Sequence, residues 1–209
     1  MEHVYLNDLA ADKLAIREVV ENWVLWRDMG DWARFATVWH PDGWMTATWF
    51  QGPASKFIEA SQISFNQGVN ILHFLGGWTC EVTGDRAISQ TKMTINQRAP
   101  LDGVLVDVVC MGRFYDFFEK RAGRWGIVRR QPIYEKDRID PVDSATMIKL
   151  EAELLNQFPE GYRHLAYLQV KNGFQVKGGL PGLRGAAVEK LYTEGKAWLA
   201  GSARPGEPL

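Results

Sequence analysis

The stretch Lys13-Leu14-Ala15-Ile16-Arg17-Glu18-Val19-Val20-Glu21-Asn22-Trp23-Val24-Leu25-Trp26-Arg27-Asp28-Met29-Gly30-Asp31 decides the fold. Ile16, Val19, Val20, Trp23 and Val24 recur at the three-and-four spacing of a helical stripe that faces a core. Asp8 or Asp12 can cap this helix, and Gly30 ends it. Asp28 follows Val24 by four residues and so extends the buried stripe instead of the wet face. A carboxylate turned inward costs several kcal/mol, roughly, unless it finds a partner. His73, in Asn70-Ile71-Leu72-His73-Phe74-Leu75, is the candidate. An Asp that holds a His in one tautomer makes a general base near neutral pH. The competing reading is a water-exposed Asp28 paired with Arg34, and a His73 that merely fills core. A carboxylate at a helix C-terminus opposes the helix dipole, which weighs against a purely structural Asp28.

Working outward, 209 residues suffice for one domain with an appendage. A formal charge of −1 gives no footprint for nucleic acid or an anionic membrane. No run of eighteen apolar residues is present, so no transmembrane span is expected, and Met1-Glu2-His3-Val4-Tyr5 does not read as a signal peptide. Two cysteines, Cys80 and Cys110, fit a reducing cytoplasm better than a disulfide scaffold. Four histidines without CxxC or HExxH argue against a metal site, and no cofactor is expected. Seven of the nine tryptophans precede position 80, which suits either core filling or a pocket for a flat ligand.

A short helix is expected over residues 31–38, a turn at Pro41-Asp42-Gly43, a strand over 44–50, and a helix opened by Gly52-Pro53. Residues 70–134 read as four long strands parted by Gly84-Asp85, Pro100-Leu101-Asp102-Gly103 and Arg121-Ala122-Gly123-Arg124. Helix, helix, strand, helix and an antiparallel meander make an α+β cone with a pocket between helices and sheet. Beyond Asp140-Pro141 come a helix from a Ser144 cap to about 156, one over 162–171, and one from Pro181-Gly182 to about 199. The tail over 202–209 reads as frayed. The expected division is a cone over residues 1–138 and a helical extension over 139–209.

Several motifs resemble the SnoaL-like branch of the NTF2-like (cystatin-like α+β cone) superfamily. They are Ala15-Ile16-Arg17-Glu18, Asp28-x-Gly-Asp31, Trp32-Ala33-Arg34-Phe35-Ala36-Thr37-Val38-Trp39, and the strand pair Gly112-Arg113-Phe114-Tyr115-Asp116 with Gly123-Arg124-Trp125-Gly126-Ile127. Within that branch the chain is most similar to the scytalone dehydratase and hexachlorocyclohexane dehydrochlorinase groups. The resemblance implies that Asp28 orients His73, the one histidine between positions 41 and 163. It also implies a homodimer or homotrimer, paired through a convex face carrying Val104, Val106 and Val108 or their alternates. The chain departs from both groups. It has Arg27 and the Trp49-Phe50 pair where one group has its tyrosines, no second barrel histidine, and Asn22-Trp23 where the other has a lysine. Neither group's substrate carries over.

The expected activity is therefore that of a cofactor-independent lyase acting on a small cyclic or aromatic substrate. An isomerase or cyclase using the same base, and a non-catalytic binding or assembly module, are the alternatives. Trp23, Trp49 and Phe74 are expected to line the pocket, with Arg27 beside Asp28. Arg113, Arg129 or Tyr115 can supply a donor, and either the Lys92/Thr94/Asn96 set or the Met93/Ile95 set faces inward. His40 reads as a capping or exposed residue, His164 as structural and His3 as terminal.

Overall fold

The computed structural model describes residues 2–203, apart from the side chains of residues 2–8; the readings of His3 and of positions 204–209 in the tail lie outside what it describes. Helix α1 (Glu2–Met29) starts upstream of both expected caps, so positions 8 and 12 are helical. Asp12 instead accepts from Lys120 Nζ and Trp125 Nε1, each at 2.8 Å. The helix ends where expected. Gly30, at φ 74°, donates to the Arg27 carbonyl and Asp31 donates to the Trp26 carbonyl. This paired closure needs a left-handed residue, which glycine adopts without a Cβ clash. Asp31 then caps α2 (Trp32–Thr37) by accepting from Arg34 N–H.

Strand β1 (Trp39–Thr46) runs through Pro41-Asp42-Gly43, where a turn was expected, and stops before residues 47–50, where a strand was expected. The turn residues form an irregularity in register between Trp39 and Trp44, so the chain stays paired across them. A short β2 (Gln51–Pro53) precedes α3 (Ala54–Asn66). Then come β3 (Asn70–Thr83), β4 (Arg86–Leu101), β5 (Val104–Arg121) and β6 (Arg124–Pro141). At Asp102-Gly103 and Ala122-Gly123 both turn residues have positive φ, which matches the right-handed twist of the flanking strands.

The curved, unclosed sheet has the order β2-β1-β6-β5-β4-β3, with β1 parallel to β6 and the other pairs antiparallel. Its concave face wraps α1, α2 and α3. Ile16, Val20, Trp23 and Val24 of α1, Phe35 of α2 and Phe57 of α3 meet Met93, Phe114, Phe118 and Ile127 in one core. Each such fully buried side chain contributes on the order of 2 kcal/mol through removal from water. Val106 and Val108 belong to this inner core, so the outward positions beside them are Leu105 and Asp107.

No helix runs from Ser144 to 156. Residues 145–151 are irregular, and only α4 (Ala152–Leu155) forms. Asp143 accepts from Ala145 N–H and the Thr146 hydroxyl, which holds a turn where a helix start was expected. Helices α5 (Arg163–Lys171) and α6 (Ala186–Leu199) follow as expected. They occupy opposite faces of the sheet. Leu165, Ala166 and Leu168 of α5 join the inner core at the mouth of the cone. Val188, Leu191 and Trp198 of α6 join Ile88, Tyr115, Phe117, Val128 and Ile133 on the convex side. No described helix is long and apolar enough to cross a membrane.

Candidate active site

Asp28 sits in the last turn of α1, on the stripe that faces β3, and meets His73 at two points. One carboxylate oxygen accepts the His73 backbone N–H at 2.6 Å, and the other lies 2.8 Å from His73 Nδ1. A carboxylate only accepts, so Nδ1 carries the proton and Nε2 keeps its lone pair. The imidazole packs edge-on against Trp23, with ring centroids 5.4 Å apart, and tilts against Phe114. Burial lowers the His73 pKa; Asp28 opposes this, while the Arg27 and Arg130 charges reinforce it. Burial thus favours the neutral ring.

His73 faces inward together with Ile71, its neighbour two residues along β3, and with Ile95 and Gln97 across the strand pair. This places the Met93/Ile95 set inside. Asn96 pairs with Leu72 on the other face, and Phe74 is 64% exposed there. Phe74 and Asn96 therefore do not line the His73 cavity, because both lie one residue out of phase with His73. Trp23, Arg27 and Trp49 do line the cavity. Arg27 reaches Asp28 at 3.4 Å and the Ile71 carbonyl at 3.5 Å, tying α1 to β3.

The expected donors on β5 and β6 also lie outside. Phe114 points in, so its neighbours Arg113 and Tyr115 point to α6. Arg113 bonds Glu135, Gln90 and Tyr192, and Tyr115 packs against Phe117 and Tyr192. Arg129 bonds Glu194 of α6 at 2.7 Å and lies over Phe117. The alternation Trp125, Ile127, Arg129 breaks because the register shifts there: Phe118 pairs with Ile127, but Phe117 pairs with Arg129. Val128 and Arg129 both face α6, which turns Arg130 inward.

Arg130 is the residue that simple alternation misses. It makes a bidentate pair with Asp116, both oxygens at 2.7 Å, and neither side chain is exposed. The guanidinium lies 4.3 Å from the Trp23 ring centroid and 4.0 Å from that of Phe114, the two aromatics that flank His73. Burial pushes the Asp116 pKa up against the pull of Arg130. A second polar set closes the mouth. The Thr48 hydroxyl donates to Gln169 Oε1 at 2.6 Å, and Gln169 Nε2 donates to Gln97 Oε1 at 3.3 Å. Tyr134 lines the same cavity, and burial pushes its pKa up, with Thr48 opposing the shift. Gln169 lies on α5, so no motif over residues 13–134 pointed to it.

His40 is buried, not exposed. Its Nε2 lies 2.8 Å from the Glu119 carbonyl, its Nδ1 faces Arg124, and burial lowers its pKa. His164 bonds Asp137, whose other oxygen accepts Leu165 N–H and so caps α5. Among the described residues no group of three or more His, Cys, Asp or Glu is placed to hold a metal.

The cavity beside His73 measures about 40 Å³. That volume holds a water molecule or two, roughly, and no aromatic ring. Trp49, stacked edge-on with Phe174 at 5.8 Å, and Gln169 stand over it.

An uncharacterized protein of Emericella nidulans is 35% identical over 93% of this chain and 89% of its own length. Pea pathogenicity protein 2 of Fusarium vanettenii is 34% identical, covering 93% of this chain and 88% of its own. Among solved structures, a scytalone dehydratase-like protein of Novosphingobium aromaticivorans superposes with TM-score 0.53 at 16% identity, over 66% of this chain and 91% of its own. A hexachlorocyclohexane dehydrochlorinase of Novosphingobium barchaimii gives 0.51 at 15%, over 68% and 98%. These likenesses carry the NTF2-like fold. The sequence profile of the SnoaL-like domain matches residues 8–131, and the chain belongs to that family.

Proposed function

We propose that this chain is a cofactor-independent lyase acting on a small cyclic or aromatic substrate. The observation that carries the reading is the two-point hold of Asp28 on His73, which leaves the Nε2 lone pair as the proton acceptor. In the reaction His73 Nε2 takes a proton from a carbon or hydroxyl. The freed electron pair forms the new π bond, and the leaving group departs with the pair of the bond that breaks. The imidazolium then returns its proton to the leaving group or to water. Asp28 stabilises that imidazolium, and a positioned base of this kind contributes about 10²- to 10⁴-fold. Arg130, neutralised by Asp116, sets the polarity behind Trp23 and Phe114, and Tyr134 is the phenol nearest the cavity.

The substrate enters by displacing side chains at the mouth, where Trp49, Phe174 and α5 meet. Incubating the purified chain with cyclic β-hydroxy ketones and halogenated cyclohexanes, and following the new double bond by absorbance, tests the reading. Turnover by wild type that is lost in His73→Ala supports it. Turnover unchanged in His73→Ala removes His73 from the scheme.

A non-catalytic module is the second reading, and the small cavity favours it. In it Asp28, His73 and the Arg130–Asp116 pair hold the core in register. Absence of turnover with every compound, together with the same thermal midpoint with and without them, selects this reading.

A further inference from the structure

On the convex face, a recess of about 400 Å³ lies between α6, the outer side of β1 and β6, and the 177–181 strap. Its size falls within the range of small-molecule sites. We infer that this recess binds a small amphipathic organic carboxylate, independently of the cavity at His73.

The polar floor is built, not incidental. Arg129 lines the recess at 5% exposure and spends one terminal nitrogen on Glu194, while its buried Nε has no partner among the described residues. Thr46, 1% exposed, lines the same floor with an unpartnered hydroxyl. A buried polar atom without a partner is costly, and such atoms concentrate where a ligand or ordered water completes them. Gln51 and Gln131 also line the recess, their amide nitrogens donating to the Ala47 and Pro132 carbonyls.

Charge selects the ligand's sign. Arg129 and Lys190 contribute two cations against the single carboxylate of Glu194 that both approach. The planar guanidinium prefers a carboxylate or a similar flat anion. Leu180 and Pro181 of the strap and Leu191 of α6 form an apolar wall, so the rest of the ligand is hydrocarbon. The recess and the Asp28–His73 cavity lie on opposite faces of the sheet, so the two sites are chemically separate.

Calorimetric titration with 2-naphthoate, and with 2-naphthalenemethanol as the neutral counterpart, tests the assignment. The carboxylate is expected to bind, with the alcohol weaker by about tenfold or more, as for loss of one charge-assisted hydrogen bond. Arg129→Met should weaken the carboxylate by a similar factor, and His73→Ala should leave it unchanged. Arg129→Met also breaks the buried pair with Glu194, so Lys190→Gln, which gives up only an exposed 3.9 Å contact with Glu194, is the second variant and should weaken binding several-fold with little change in thermal midpoint. No saturable binding of the carboxylate overturns the proposal. So do equal affinity for the alcohol, indifference to Lys190→Gln, or loss of binding in His73→Ala.

Discussion

Asp28 holds His73 by both its backbone and its ring: one oxygen takes the β3 amide N–H and the other takes Nδ1–H. A single carboxylate thereby fixes the strand position and the tautomer together. The inward acid at the end of α1 is satisfied by a residue forty-five positions away, and the chemistry of the site follows from that pairing.

Asp28→Asn keeps an oxygen for the amide but presents NH₂ to Nδ1, which drives the proton to Nε2. Any activity that depends on His73 should fall by about 10²-fold or more. The thermal midpoint should drop by an amount equivalent to about 1–3 kcal/mol, read by calorimetry.

Acid should destabilise the fold through buried neutral histidines. His73 and His40 both titrate below the ordinary histidine value because burial disfavours their charged forms. Their neutral forms favour the native state above the unfolded pKa of about 6.5, and this stability is lost as pH falls through the lower native values. Chemical denaturation between pH 7 and 5 should show stability decreasing, and His40→Gln should flatten the slope.

The Arg130–Asp116 pair should behave as a unit. Asp116→Ala strands the guanidinium between two aromatic rings and should cost about 3–5 kcal/mol. The double variant Asp116→Leu/Arg130→Met should cost less than that single change, as measured by urea denaturation.

Gly195 on α6 fixes how closely that helix lies on the sheet. A methyl group there collides with the Tyr115 hydroxyl, so Gly195→Ala should destabilise by about 1–3 kcal/mol, as overpacking does. Tyr115→Phe in the Gly195→Ala background removes the colliding oxygen and should restore part of the loss.

Trp49→Ala at the mouth should open the cavity to a small apolar probe. Benzene binding, followed by a rise in thermal midpoint, is expected in the variant and not in wild type.

The legible parts of the fold were those fixed by local chemistry. The stripe Ile16-Val20-Trp23-Val24, the Gly30 stop and the hairpin glycines Gly84, Gly103 and Gly123 each act within a few residues, and each formed where expected, whereas Gly43 lies inside β1. Asp28 and His73 were found because an acid on an apolar stripe requires a partner. Strand parity was not legible. Phe74 and Asn96 fall one position out of phase with His73, and the irregularity at Val128 exchanges Arg129 for Arg130. An irregularity of this kind depends on both strands of a pair, so neither sequence announces it. Gln169 and Phe174 were missed for a related reason: Gln169 reaches the cavity, and Phe174 packs on Trp49, only because α5 packs over the mouth.

The most direct test of the Asp28–His73 pairing is the protonation state of His73 at neutral pH, read from the ¹⁵N shifts of its two ring nitrogens in wild type and Asp28→Asn. The expected result is a neutral ring in wild type with the proton on Nδ1 and a bare Nε2, and a proton moved to Nε2 in the variant. A wild-type ring that is protonated on Nε2, or whose shifts ignore the Asp28 substitution, would contradict it.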